Sequence, residues 1–303
     1  MRKIRILMWC VLSMMFATHL HAQTAQQEFS YTQYMDNLTP VNQAYSMLDK
    51  NGSINAIARK QYVGIQGSPG TFIFNGNLPI ESINATAGVL VLSDQLAVEH
   101  NTQISAFFAK SLQVGEAQYL AVSLSVGVKN YVANFSSLDP SDPQFRNDVR
   151  ETQPNLGFGV MYYGDNYYLG LSMPELTITA LGTANVQDNL NFRNHYYMQG
   201  ALITDVADDI KFKPATLISY TNGLPLTADV SGTFYLKELL GLGINYRTTK
   251  KAAGIISINM SSFKLGYSYE FGTASNNLGG LNTATSEITL SYRFGKNLQS
   301  KLL

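Results

Sequence analysis

Few residues in this chain could carry out catalysis. Beyond residue 23 there are only two histidines, His100 and His195, and the single cysteine, Cys10, lies within the opening stretch. A hydrolase would need a serine or threonine nucleophile beside a histidine base, with a third group to orient the base. Neither histidine stands in a recognisable motif of that kind. We therefore predict no catalytic residue and interpret both histidines as polar residues of a rim or lumen.

Other short patterns match binding motifs only in part. Gly157-Phe158-Gly159 and Gly241-Leu242-Gly243 lack the remaining glycines and the following helix of a nucleotide-binding loop. The stretch 139–143, Asp-Pro-Ser-Asp-Pro, has too few oxygen ligands for a calcium loop. We predict no metal or cofactor. We interpret the glycines as residues that make room in a lumen or allow a strand to bend, and we predict surface loops at 139–143 and 179–192 that could contact partners. No individual partner-binding residue is predicted.

The composition excludes several classes of protein. Of 303 residues only 14% are charged, against about 25% in average soluble chains, and the formal net charge is zero. A chain without a basic excess is a poor nucleic-acid binder, so no nucleic-acid partner is expected. The 18 tyrosines and 15 phenylalanines argue against a disordered chain, and one cysteine cannot build a disulfide scaffold.

Residues 1–22 are predicted to form a secretory signal peptide. Arg2, Lys3 and Arg5 give a positive start, an apolar stretch follows over 6–17, and Ala22 suits the cleavage position. The alternative is a membrane anchor, but roughly 12 apolar residues are too few where about 20 are needed to span a bilayer. We expect the exported chain to begin at Gln23.

The exported chain has the period-two alternation of β-strands. Over 119–129, for example, Leu120, Val122, Leu124, Val126 and Val128 share one face, and small or polar residues share the other. The same pattern recurs over 240–247, 263–272 and 287–294. We predict fourteen strands, at 53–62, 70–78, 82–92, 100–112, 117–134, 153–163, 166–177, 193–204, 209–220, 225–236, 239–248, 252–260, 262–272 and 283–294.

Alternation alone leaves open whether the apolar face points into a soluble core or outward into lipid. A polar face rich in glycine, serine and charge, an export signal, and aromatic residues near strand ends favour lipid. The aromatic residues interpreted as interfacial girdles are Tyr162, Tyr163, Tyr167, Tyr168, Tyr196, Tyr197, Tyr292 and Phe294. Strands in lipid must close so that every backbone group is paired.

We therefore predict an all-β fold, an antiparallel transmembrane β-barrel of about 14 strands (range 12–16) over 53–294. An N-terminal periplasmic or plug segment over 23–52 precedes the barrel, and a tail over 295–303 follows it. Connections after odd-numbered strands should be the long, external ones, since the predicted gaps at 135–152, 179–192 and 273–282 all follow odd strands.

Two stretches near the start carry a family resemblance. They are 31–45, YTQYMDNLTPVNQAY, and 59–71, RKQYVGIQGSPGT. Together they resemble the opening of the PorP/SprF family, type IX secretion system outer-membrane proteins of Bacteroidetes, with spacing kept over some forty positions. Gln43, Ser46 and Tyr62 depart from the family pattern, where proline, alanine and tryptophan are usual.

The resemblance implies a non-enzymatic role in the bacterial outer membrane. Its members assemble or anchor a large secreted adhesin through the adhesin's C-terminal sorting domain, or work with the gliding machinery and its periplasmic ring lipoprotein. The expected partners are therefore that adhesin, the ring lipoprotein and outer-membrane lipids. Two alternatives remain open: a passive pore or small-solute transporter, and a membrane-embedded hydrolase that uses His100 or His195.

Overall fold

The structure, a computed structural model, describes residues 30–138, 141–142, 147–177, 193–272, 284–295, 298 and 302–303. The predicted signal peptide, the loop at 179–192 and most of 139–143 lie outside these residues. No helix among the described residues is long and apolar enough to cross a membrane.

Antiparallel strands make up most of the described chain. Their bounds are β1 Gly52–Gln61, β2 Gly70–Ile80, β3 Ala85–Leu96, β4 Glu99–Gly115, β5 Gln118–Ala133, β6 Val149–Tyr163, β7 Tyr167–Thr177, β8 His195–Leu202, β9 Thr204–Ala207, β10 Ile210–Thr221, β11 Thr227–Leu236, β12 Leu240–Arg247, β13 Lys251–Asn259, β14 Phe263–Gly272 and β15 Thr285–Phe294. The short β8 and β9 both pair with β10 and are separated only by Ile203, so they share one position in the sheet. The barrel therefore has fourteen positions.

The sheet closes on itself. Each of the fourteen positions pairs with the next one in sequence, and β1 pairs with β15 over its whole length, from Gly52 opposite Phe294 to Gln61 opposite Thr285. Among the described strands, closure leaves neither the first nor the last strand as a free sheet edge, which is what a barrel in lipid requires. The prediction of a closed antiparallel barrel of about fourteen strands is confirmed.

The apolar face of each strand points outward. On β5, Leu124 is 53% exposed, whereas its neighbour Ser125 is 3% exposed. On β12, Ile244 is 73% exposed while Asn245 is buried. A soluble barrel would bury the apolar set instead, so the hydrophobic exterior fits a bilayer and the interior is polar.

The two ends of the barrel differ in the length of their connections. Those after even positions are brief, such as 116–117 between β4 and β5 and 208–209 between β9 and β10. Those after odd positions include 134–148 and 178–194. We call these the short-turn end and the long-loop end; β1 begins and β15 ends at the short-turn end.

Candidate functional site

The lumen of the barrel is occupied by the chain's own residues 31–48, which we call the plug. Their backbone forms two short 3-10 helices, Tyr34–Asp36 and Gln43–Met47. The second helix begins where the Asn42 side chain accepts a hydrogen bond from the Ala44 N–H at 3.0 Å, an N-cap that suits asparagine. Tyr31, Gln33, Tyr34 and Leu38 are all at most 1% exposed. The first family motif is therefore a segment buried against strands on several sides.

A single carboxylate on β15 holds the start of the plug, towards the long-loop end. The two carboxylate oxygens of Glu287 accept hydrogen bonds from the backbone N–H groups of Thr32 and Gln33, each at 2.8 Å. Glu287 is 1% exposed. Hydrogen bonds to a charged acceptor contribute about 1.5–3 kcal/mol each, so this contact is a strong attachment point.

Glu287 belongs to a buried ionic network that spans the closing strands. Arg59 on β1 donates to Thr32 Oγ1 at 3.1 Å, to Glu287 at 3.4 Å and to Glu270 on β14 at 3.2 Å. Arg247 on β12 pairs with Glu270 and, at 2.9 Å, with Asp229 on β11. Buried charges are costly unless paired, and here each has an opposite charge beside it.

The middle of the plug contacts strands on both sides of the lumen. The Tyr34 hydroxyl donates to the Ala215 carbonyl at 3.0 Å on β10, and Asn37 Nδ2 donates to Asn75 Oδ1 at 2.7 Å on β2. Asn42 Nδ2 donates to the Val160 carbonyl at 3.1 Å on β6. These contacts fix the plug across the width of the barrel.

Glycine on the wall makes room for these contacts. A Cβ on Gly159 would overlap Asn42 Oδ1 and lie 2.6 Å from Ser123 Oγ. Gly159 belongs to one of the two Gly-x-Gly patterns in the sequence, so the prediction that these glycines make room in a lumen is confirmed at this position.

Two ion pairs hold the plug at the short-turn end. Lys264 on β14 pairs with Asp36 of the plug, and Arg293 on β15 pairs with Asp49, the residue that directly follows the plug, each at 2.5 Å. Burial alone would raise the pKa of the Asp36 carboxyl, but the charges of Lys264 and Lys213 and the hydrogen bonds from Lys264 and Tyr235 outweigh burial, so that pKa lies below its ordinary value. Asp36 is therefore held as the carboxylate.

A cavity of about 90 Å³ lies at the short-turn end, between the plug and the barrel wall. Its lining includes Asp36 and Leu48 of the plug, Lys213 and Arg293 of the barrel, and Leu302. Lys213 is fully buried and donates through Nζ to the Met35 carbonyl at 2.6 Å and also to the Leu302 carbonyl.

The second family motif forms the end of β1, the loop after it and the start of β2. Arg59 reaches the plug, as described above, and Lys60 Nζ donates to the Ser68 carbonyl at 2.7 Å. The loop turns through positive φ angles at Gly64 (97°) and Gly67 (73°), a region that favours glycine. The two motifs therefore meet through Arg59 and Thr32.

The candidate histidines are not brought together. His100 is exposed on β4. His195 lies at the start of β8, and its Nδ1 is 2.8 Å from Thr221 Oγ1, a hydroxyl partner that sequence reasoning missed. Thr221 is 1% exposed. Among the described residues, no group of acidic, histidine or cysteine side chains could hold a metal ion.

The interpretation of the aromatic residues as girdles is only partly right. Tyr196 and Tyr292 face outward and are 43% and 39% exposed. Tyr163, Tyr168 and Tyr197 face the lumen and are buried, because adjacent strand residues point to opposite faces. Tyr163 donates its hydroxyl to the Met47 carbonyl at 3.1 Å, and the Tyr168 ring packs edge-on against Tyr45 of the plug.

A comparison with protein families decides the identity of this plugged barrel. The model of the type IX secretion system membrane protein PorP/SprF matches residues 23–292. The chain belongs to the PorP/SprF family. This confirms the resemblance drawn from 31–45 and 59–71, and it makes this PorP/SprF protein a membrane component of a type IX secretion system with an outer-membrane barrel fold. No curated protein matches the chain significantly.

Several solved structures are similar to the chain at very low sequence identity. This PorP/SprF chain is similar to the TodX deltaS2S3 mutant monoaromatic hydrocarbon channel, with TM-score 0.50, 10% identity, and coverage of 85% of this chain and 94% of that one. It is also similar to the outer membrane protein Omp33 of Acinetobacter baumannii, with TM-score 0.47, 7% identity, and coverage of 82% of this chain and 99% of that one. A third similar structure is CdiB from Acinetobacter baumannii, with TM-score 0.44, 5% identity, and coverage of 81% of this chain and 60% of that one. The chain therefore spans less than two thirds of the length of CdiB.

Proposed function

We propose that this protein is a non-enzymatic outer-membrane anchor of the type IX secretion system, which assembles or holds a secreted surface adhesin through the adhesin's C-terminal sorting domain. Membership of the PorP/SprF family supports the link to secretion. The observation that carries the choice of an anchor is the plug, because a lumen filled by buried, hydrogen-bonded chain leaves little room for solute passage.

The two ends of the barrel suit different partners in this proposal. In bacterial barrels the short turns face the periplasm and the longer loops face outward. The long-loop end would then present the connections after β5 and β7 to the adhesin. The short-turn end would face the periplasmic ring lipoprotein of the machinery, and the apolar exterior would contact outer-membrane lipids. Cleavage of a signal peptide after Ala22 and a link to gliding motility belong to the same proposal.

The test is a comparison of surface proteins in parent and deletion strains. Loss of the gene should leave one large adhesin with a C-terminal sorting domain inside the cell or release it into the medium, while other exported proteins stay unchanged. Complementation with the intact gene should restore the adhesin to the surface. Matching surface proteomes in the two strains would contradict the proposal.

The alternative function is a passive pore or small-solute transporter, which the polar interior favours. Conductance of the purified barrel in a planar bilayer separates the two functions. We expect the intact protein to conduct no ions, and we expect steady channels only after deletion of residues 31–48. Steady channels in the intact protein would favour the pore.

The absence of enzyme activity is tested separately. Replacement of both histidines, His100→Ala with His195→Ala, should leave surface display of the adhesin intact, since the hydrogen bonds described between the plug and the barrel involve neither histidine. Loss of a measurable lipid or peptide hydrolysis in the double variant would favour the hydrolase instead.

A further inference from the structure

The plug is held at the short-turn end by a contact that involves residues beyond the last strand. Leu302 and Leu303 are 6% and 9% exposed, and both line the cavity below the plug. They lie beside the Lys264–Asp36 and Arg293–Asp49 ion pairs, whose residues line the same cavity. Two leucines are thus buried where the plug meets the barrel.

Lys213 joins these residues to the plug. Its side chain on β10 is fully buried, and Nζ donates one hydrogen bond to the Met35 carbonyl at 2.6 Å and another to the Leu302 carbonyl. A buried ammonium must have hydrogen-bond acceptors, because an unsatisfied charge in the interior is very costly. The plug and Leu302 each supply one acceptor, so displacement of either leaves Lys213 short of a partner.

We propose that residues 302–303 are a latch for the plug, which closes the lumen at the short-turn end. Leu302 and Met35 both accept hydrogen bonds from Lys213, and the two leucine side chains cover the cavity that lies between the plug and this end of the barrel. The latch acts on one end of the plug only. The other end is held independently by Glu287, which binds the N–H groups of Thr32 and Gln33. This inference does not depend on the proposed role in secretion.

The latch predicts a local change in mobility when it is removed. In the full-length variant Leu302→Gly with Leu303→Gly, the apolar cover is lost and the Leu302 carbonyl is no longer held in place. We expect amide hydrogen exchange at Asp36 and Asn37 to speed up by about tenfold or more. Local opening of the plug at these residues would no longer have to break the hydrogen bonds through which Lys213 joins Met35 to Leu302. Exchange at Thr32 and Gln33 should change by less than about twofold, since Glu287 is intact.

Two further variants make the test specific. Leu236→Gly with Leu239→Gly removes two exposed leucines at the same end of the barrel that do not line the cavity, and it should leave exchange at residues 36–37 unchanged. Lys213→Met keeps the length of the side chain but removes the bridge, and it should reproduce the faster exchange. It also tests the latch if the first variant does not fold.

The measurement is made on protein whose barrel migrates as folded in unheated gels. Unchanged exchange at residues 36–37 in the folded Leu302→Gly, Leu303→Gly variant would overturn the proposal. An equal rise at residues 32–33 and 36–37 would also overturn it, because it would indicate general loosening of the plug rather than release of one end.

Discussion

Replacement of Glu287 by glutamine should release the start of the plug while the barrel stays closed. The carboxylate accepts two backbone N–H groups at 2.8 Å and pairs with Arg59. Glutamine keeps one acceptor oxygen and turns the other into an N–H₂ donor, which faces a backbone N–H. One charged hydrogen bond is lost and the pairing of a buried arginine is weakened, a cost of about 2–4 kcal/mol.

Hydrogen exchange measures this cost directly. A loss of about 2–4 kcal/mol corresponds to exchange that is roughly 30 to 1,000 times faster at Thr32 and Gln33. Conductance should show brief openings in the same variant, because one end of the plug is no longer held. Glu151→Gln is the matched control, since Glu151 lies on β6 outside the network around the plug.

Slow, unchanged exchange at Thr32 and Gln33 in folded Glu287→Gln would refute this reasoning. It would mean that packing of the buried plug, and not the carboxylate, holds this end. Faster exchange in the Glu151→Gln control would also count against it, because the effect would then follow from any loss of a strand carboxylate.

Three other outcomes test the wall, the exterior and the ion pair at the short-turn end. Gly159→Ala should displace the plug and lower the unfolding temperature, because the new Cβ overlaps Asn42, whereas Gly254→Ala meets no atom within 4 Å and should have no effect. Ile244→Lys should destabilise the barrel in bilayers by about 2–4 kcal/mol if its side chain faces the hydrocarbon core. Because the folded pKa of Asp36 is depressed, its ion pair with Lys264 stabilises the plug at neutral pH and is lost as the pH falls below about 4 and through the folded pKa. Acid should therefore speed exchange at the short-turn end of the plug, and Asp36→Asn should remove that pH dependence.

The barrel could be predicted from sequence because strands repeat every two residues. The alternation around Leu124 and Ile244 placed the outward side chains correctly, and each of the fourteen predicted strands overlaps one position of the observed barrel. The same rule predicts that charged residues such as Glu270 and Arg293 lie on the polar face. This local rule works because one face meets lipid and the other meets the lumen.

The contents of the lumen could not be predicted in the same way. The short 3-10 helices have no hydrophobic period, and Asn42 meets Gly159 and Val160 only after the barrel has closed. The family motif identifies 31–45 as a distinctive stretch of sequence. The structural role of that stretch, which is burial against many strands, is a property of the folded chain and cannot be seen in the motif. The misjudged tyrosines are different: the parity of Tyr162 and Tyr163 on one strand already predicts that only one of them faces lipid.

The contact between Glu287 and the plug also bears on how the strands find their alignment. Arg59 and Glu287 stand directly opposite each other where β1 meets β15. A slip of either strand by one residue would turn its charged side chain towards hydrocarbon, and a slip of β15 would also leave Thr32 and Gln33 without their acceptor. Thr32 and Gln33 of the plug thus favour the correct register between the first and the last strand of the barrel.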